Sequence, residues 1–424
     1  MLSNSPQPNL GGPLRLTPLF WGLLVATGVA AGIAAGLLMW LLHAVQHLTW
    51  HYRSGGFFDA VARAPAWQVV AVPAAGGVLI GFGRRWLRQH VGGHGGEVGE
   101  AIWLHQGHLD AIPTLARAVL SIVGVGMGAA LGREGAPKQA GAVAASLLAG
   151  WAKLEAPQCR LLAACGAGAG MAAVYDVPFG GALFALEVLL GGISLPLVLP
   201  ALAASAIATA TSWLMLPHAV NYDVSFAAAP GAEMLAFACL GGPVLGVAAV
   251  GYVRIIAWAD GRKPRGWRQL AMPVVVLAAL GLCALRYPQL LGNGKDVVTQ
   301  TLDARTGLGL VAALLPLRVI ATALCLASGA PGGLFTPTLA VGALLGAVLG
   351  HAAPGLPPGT AALLGAAGFL AAAAQGPVSA MALTLELTRR IDPLAVPLLL
   401  AIAGAAVTAR MLEQRSIYSA RLPR

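Results

Sequence analysis

Charge is scarce in this sequence. Of its 424 residues, 10% are Asp, Glu, Lys or Arg and 58% are hydrophobic, whereas soluble domains carry about 25% charged residues. With a mean hydropathy of +0.77, this excludes a water-soluble fold with an ordinary polar surface and requires a bilayer as solvent. Charge is missing altogether from residues 16–52, a run longer than the roughly 20 apolar residues that cross a bilayer. That run is too long for a signal-peptide core and shows no small-residue cleavage site, so a long, tilted first helix is expected to stay in the mature protein. Cysteine is sparse too. Cys159, Cys165, Cys239, Cys283 and Cys325 form no C-x-x-C pair and lie in or beside apolar stretches; they read as small buried hydrophobes, not as disulfides or metal ligands. No H-E-x-x-H or G-x-S-x-G pattern occurs, so the two best-marked hydrolase chemistries are absent. No enzyme activity, metal or other cofactor is expected.

Acid is scarcer than base, and the formal net charge is +10. The basic residues stand in short clusters between apolar runs: Arg84, Arg85 and Arg88; Arg262, Lys263, Arg265 and Arg268; Arg389 and Arg390; Arg415, Arg421 and Arg424. This is the positive-inside pattern of cytoplasmic loops. No basic face continues over a soluble fold, which argues against nucleic acid as a partner.

What the chain has in quantity is glycine, 56 residues of it, together with Ala-rich runs. Small residues let transmembrane helices approach where lipid removes the usual hydrophobic drive. Apolar segments near 136–150, 178–191, 338–350 and 378–388 are too short to span, which predicts broken or re-entrant helices. Such backbone is tolerated in a membrane only where protein buries it or a water-filled cavity borders it. An internal repeat runs through these segments. GREGAPKQAGAVAASLLAG (132–150) and VPFGGALFALE (177–187) correspond to GGLFTPTLAVGALLGAVLG (332–350) and GPVSAMALTLE (376–386). Pro137 and Pro337 are 200 apart and Pro178 and Pro377 are 199 apart; Glu187 and Glu386 each follow the later Pro by nine residues. Paired, Gly/Pro-interrupted segments in two halves point to a binding site between the repeats near the membrane midplane.

The chemistry follows from Gly132-Arg133-Glu134-Gly135-Ala136-Pro137. Pro suits a first helical turn, so a helix is expected to start near Ala136 with free N–H groups directed at Glu134. A second start is expected at 332–337. Helix N-termini attract anions. Removing an ion from water costs several kcal/mol, while one helix end returns about 0.3–2 kcal/mol, so several donors must converge. A carboxylate beside such a site competes with the anion when ionised and withdraws when protonated. The alternative for Glu134 is a structural ion pair with Arg133, but intramembrane carboxylates are functional by default.

These stretches resemble the signature motifs of the CLC family of chloride channels and chloride/proton antiporters, in its bacterial form without CBS domains. GREGAP (132–137) resembles the G-R-E-G-P motif and SGAPGGLFTP (328–337) contains a match to G-x-F-x-P. GHGGEVGEAI (93–102) is similar to a degraded G-S-G-I-P-E motif, and SIYSA (416–420) to the stretch with the anion-coordinating tyrosine. They occur in family order over nearly the whole chain. The resemblance implies an all-α integral membrane fold with an inverted repeat, in a homodimer of two separately conducting subunits. It implies Glu134 as gate, with backbone N–H groups of Leu334 and Phe335 and the hydroxyl of Tyr418 as anion ligands; Arg133 and Gly135, on either side of the gate, and His94 are further anion-binding candidates. Without the resemblance, Tyr418 reads as an interfacial anchor. Residues 17–418 are expected to form the transmembrane domain, with halves of roughly 17–215 and 230–412. Segments 1–16 and 419–424 would be short cytoplasmic tails of a multi-pass inner-membrane protein.

Departures from the family pattern matter. The usual coordinating serine falls at His94, which also reads as a loop histidine; the usual Ile-Pro is Gly96-Glu97, and Lys138 stands one turn into the first helix. Glu97 could serve as a first-turn carboxylate, and Lys138 could snorkel to water or pair with a carboxylate. At the proton-relay position of the exchangers stands Val188, which carries no proton. Glu187 and Glu386 read as structural, and Asp176 as a helix-start cap. The leading expectation is chloride conduction gated by Glu134. The alternatives are chloride/proton exchange by a non-standard proton path and transport of another small anion such as fluoride or nitrate.

Overall fold

The computed structural model describes residues 14–51, 56–91, 97–218, 221–222, 231–304, 306–353, 355–389 and 394–422. His94 lies outside them. Among the described residues the chain forms helices and no β-strand. The first half comprises α1 (Pro18–Trp50), α2 (Phe57–Arg63), α3 (Ala66–His90), α4 (Val98–Leu104), α5 (Ala111–Gly126), α6 (Gly135–Trp151), α7 (Ala156–Tyr175), α8 (Pro178–Phe184) and α9 (Leu195–Ser212). The second comprises α10 (Ala232–Asp260), α11 (Arg268–Ala284), α12 (Lys295–Leu302), α13 (Leu308–Ser328), α14 (Phe335–Gly350), α15 (Pro358–Ala374), α16 (Pro377–Thr388) and α17 (Ala395–Leu412).

Six of these helices, α1, α3, α9, α10, α13 and α17, are long and apolar enough to cross a membrane. The uncharged run at 16–52 becomes α1, opened by Thr17, whose hydroxyl accepts from Phe20 N at 3.3 Å. The repeated short segments become α6, α8, α14 and α16, and α8 runs on into a π-helical turn at Ala185–Leu189. The central helices α6, α7, α14 and α15 are mostly buried. Their small residues make this possible. A Cβ on Gly141 would stand 2.0 Å from Gly166 O, and one on Gly346 would stand 2.3 Å from Ala361 O, so the α6/α7 and α14/α15 contacts admit nothing larger.

Both halves end their third-from-last helix in the same way. Asp176 closes α7 with φ 56° and Gln375 closes α15 with φ 55°. Left-handed backbone is uncommon outside glycine, and here it closes each helix directly before the next, α8 or α16, begins. Three of the five cysteines, Cys159, Cys165 and Cys325, are buried. Cys239 and Cys283 are exposed on the outer face, contrary to the expectation that all five are interior.

Candidate functional site

The two repeated motifs meet. Gly132 N donates to Gly333 O at 2.7 Å and Gly333 N to Gly132 O at 2.8 Å, a two-residue antiparallel clasp that holds the starts of α6 and α14 side by side. The first of these helices starts at Gly135, one residue before the expected position, and Pro137 and Pro337 both lie in first turns. There the missing proline N–H costs no helical bond.

Glu134 is fully buried and its carboxylate lies at the start of α14. Oε1 accepts from Phe335 N at 2.7 Å. Oε2 accepts from Tyr175 Oη at 3.0 Å and from Thr336 Oγ1 at 3.2 Å, and the two hydroxyls are 2.6 Å apart. Hydrogen bonds to a charged group contribute about 1.5–3 kcal/mol each, so one amide and two hydroxyls offset a burial cost of several kcal/mol. Two glycines make room: a Cβ on Gly132 would meet Oε1 at 2.1 Å, and one on Gly333 at 2.0 Å. Among the described residues no ion pair joins Arg133 to Glu134; the Arg133 guanidinium lies 5.2 Å from the centre of the Tyr175 ring.

Beneath the clasp, Tyr418 packs edge-on against Phe184, with ring centres 5.5 Å apart. Ile417 N donates to Ala373 O at 2.8 Å, fastening the C-terminal segment to α15. A cavity of about 50 Å³ is bordered by Gly135, Lys138, Leu334 and Tyr418. Lys138 neither snorkels nor pairs with a carboxylate among the described residues. It is 8% exposed, and its ammonium sits 5.0 Å from the ring centres of both Phe184 and Tyr418. A wider cavity of about 230 Å³ is bordered by Arg84, Arg88, Arg117, Lys263 and Arg421, with Glu97 and Asp260 as its acids. Five cations against two acids leave this cavity predominantly cationic.

Glu97 precedes α4 but its side chain caps nothing. It accepts from Arg421 at 2.7 Å, and Arg421 also reaches Asp260 at 3.1 Å. Burial would raise the Glu97 carboxyl, but Arg421 above all, followed by Arg117, Lys263 and Lys138, holds it down to about 2.

Two more carboxylates lie at helix starts, and each belongs to the opposite half. Glu187 accepts from Val378 N at 3.2 Å and Ser379 N at 2.7 Å, while Glu386 accepts from Phe179 N at 3.0 Å and Gly180 N at 2.6 Å. Val188 is buried beside Gly376. Asp176 departs from its expected role. No side chain caps α8; Asp176 instead accepts from Trp213 Nε1 at 2.8 Å and pairs with Arg389 and His218. The left-handed turn at Asp176 directs its carboxylate away from the next helix.

Of the residues singled out in the sequence, Glu134, Gly135 and Phe335 converge, with Leu334 and Tyr418 on the adjoining cavity. Tyr175 and Thr336 were missed. Thr336 stands inside the second motif, and Tyr175 ends a helix made almost entirely of small and apolar residues, where a phenol needs a polar partner. That mismatch was the available signal.

The chain resembles known proteins over most of its length. The family model described as voltage gated chloride channel matches residues 75–410. A ClcB-like chloride channel protein of Ralstonia nicotianae is 34% identical over 86% of this chain and 88% of its own. A voltage-gated ClC-type chloride channel, ClcB, of Citrobacter koseri is 30% identical over 94% of this chain and 98% of its own. Among solved structures, a slow cyanobacterial Cl⁻/H⁺ antiporter superposes with a TM-score of 0.81 at 20% identity, covering 95% of this chain and 97% of that one. A CLC-type fluoride/proton antiporter superposes with a TM-score of 0.78 at 22% identity, covering 96% and 98%. With this family match over residues 75–410 and relatives at 30% identity or more over most of its length, the chain belongs to the voltage-gated chloride channel family, the CLC proteins.

Proposed function

We propose that the protein carries chloride across a bilayer along the path between the basic mouth and the start of α14, with Glu134 as its gate. The observation that carries the reading is the Glu134 carboxylate on Phe335 N at 2.7 Å: an anion already occupies the helix start, and it belongs to the protein. Protonation removes its charge and its claim on that N–H, so chloride replaces it. Tyr418 and the amides of Leu334 and Phe335 are the proposed ligands on the inner side. Gly135 allows the close approach, and Arg133 contributes positive charge nearby; no role is assigned to His94. Residues 17–418 act as one transmembrane unit of two halves, in the inner membrane with both ends cytoplasmic. Two subunits pair through the exposed apolar face that includes Phe179, Val378 and Leu399.

Proton-coupled exchange is the competing reading. Val188 opposes it, because a buried valine offers no proton-carrying group where the exchangers of the family place one. The test is chloride efflux from liposomes with simultaneous recording of internal pH. Wild type should conduct more as pH falls, without uphill proton movement. Glu134→Ala should conduct at every pH with the pH dependence removed. A folded Glu134→Ala protein without chloride flux would refute the gate, and uphill proton flux driven by chloride in wild type would establish exchange instead.

A further inference from the structure

Among the described residues no carboxylate forms an ion pair with the Lys138 ammonium, although Glu134 and Glu97 lie near enough to attract it. Lys138 lies one turn into α6, on the same helix as Glu134, and is 8% exposed. Burying an ammonium costs several kcal/mol unless something answers its charge. The nearby carboxylates are committed elsewhere: Glu97 to Arg421, and Glu134 to Phe335 N and the hydroxyls of Tyr175 and Thr336. What faces the ammonium is aromatic, the rings of Phe184 and Tyr418, each 5.0 Å away. Ring faces answer a cation only in part.

The cavity beside Lys138 is small, about 50 Å³, yet larger than the roughly 10–15 Å³ that one water needs. Ser121 borders the same cavity, as do Arg117 and Arg421 and the acids Glu97 and Glu100; it is 2% exposed, and its hydroxyl has no hydrogen-bond partner among the described residues. An ammonium without an ion-pair partner and a hydroxyl without a hydrogen bond among the described residues, both on one small cavity, fit a small monatomic anion. We propose that Lys138 and Ser121 form an inner halide-binding site in which the transported ion itself serves as the counter-ion of Lys138. The inference rests on the chloride-transport reading and adds to it a fixed cation and a hydroxyl. It also accounts for the two rings. A bare ammonium would hold a halide too firmly for turnover, and the rings weaken that hold while keeping the charge in place.

The test is calorimetric titration of chloride into the purified full chain in detergent, beside flux in liposomes. Lys138→Met keeps the length and removes the charge; it should lose affinity on the order of tenfold or more. Lys138→Arg should retain most of the binding. Crystals grown in bromide should show anomalous density beside Lys138 Nζ, a readout that does not depend on the Met variant folding. Wild type that neither binds nor conducts chloride overturns the transport reading and this inference with it. Wild type that conducts while Lys138→Met binds chloride undiminished overturns this inference alone. So does bromide found along the path with none at Lys138.

Discussion

Among the described residues, three carboxylates lie at the start of a helix from the opposite half, and they are held in two different ways. Glu187 and Glu386 form a reciprocal pair: each accepts two backbone N–H groups of the other repeat, and the sequence repeat places one where the other predicts it. Glu134 has no such twin, because 200 residues later stands Leu334. Its partners are one amide and two hydroxyls, and hydroxyls rotate where amides do not. Symmetric caps satisfied by rigid backbone suit structure. A single carboxylate, satisfied mostly by groups that can turn away, suits a part that moves.

The comparison breaks most visibly if the caps are removed. Exchanging both Glu187→Gln and Glu386→Gln takes a charged acceptor from each of two helix starts and should cost about 2–5 kcal/mol in all. Thermal unfolding in detergent should shift well downwards while the pH dependence of flux per folded protein keeps its shape. Full stability with an altered pH profile would put these two residues in the gate and erase the distinction. A smaller effect is expected from Gly333→Ala. Its Cβ would stand 2.0 Å from Glu134 Oε1 and 2.9 Å from Gly135 N, so the carboxylate must leave Phe335 N. Resting chloride flux at neutral pH should rise by about tenfold, the equivalent of one lost hydrogen bond to a charged group. Unchanged flux in a folded variant would mean that the contact with Phe335 does not hold the path shut.

Much of this was legible in the sequence because it is periodic. The uncharged run at 16–52 becomes α1, and the repeat of Pro137 and Pro337 foretells two helix starts, which the structure clasps together through Gly132 and Gly333. What stayed hidden depends on which distant side chains meet. Asp176 read as a cap because it precedes a helix, but its partner Arg389 is 213 residues away. Lys138 suggested snorkelling or pairing because those are the usual escapes for a lysine in lipid. The aromatic slot that receives it is assembled from Phe184 and the C-terminal segment, and no local pattern announces it. Tyr175 and Thr336 were missed for the same reason, being 161 residues apart and in contact only once α7 and α14 are packed.

Glu97 sharpens the contrast with the smallest effect. It too stands at a helix start, yet it turns from the helix to Arg421. Its folded value of about 2 lies below the ordinary value for glutamate of about 4.3. The sign is that of a depressed carboxylate: the contact contributes fully above the ordinary value and is lost as pH falls through about 2. It is therefore constant over the mildly acid and neutral range, and a pH response of chloride flux in that range does not originate here. Glu97→Gln should leave the shape of the pH profile intact and loosen the attachment of the C-terminal segment, read as faster hydrogen exchange across 416–422. The loss should be modest because Glu97 is partly exposed and Arg421 keeps its bond to Asp260. If the substitution instead moves the pH profile, the tail and the gate are one titrating unit, and Glu134 no longer stands apart from the other carboxylates at helix starts.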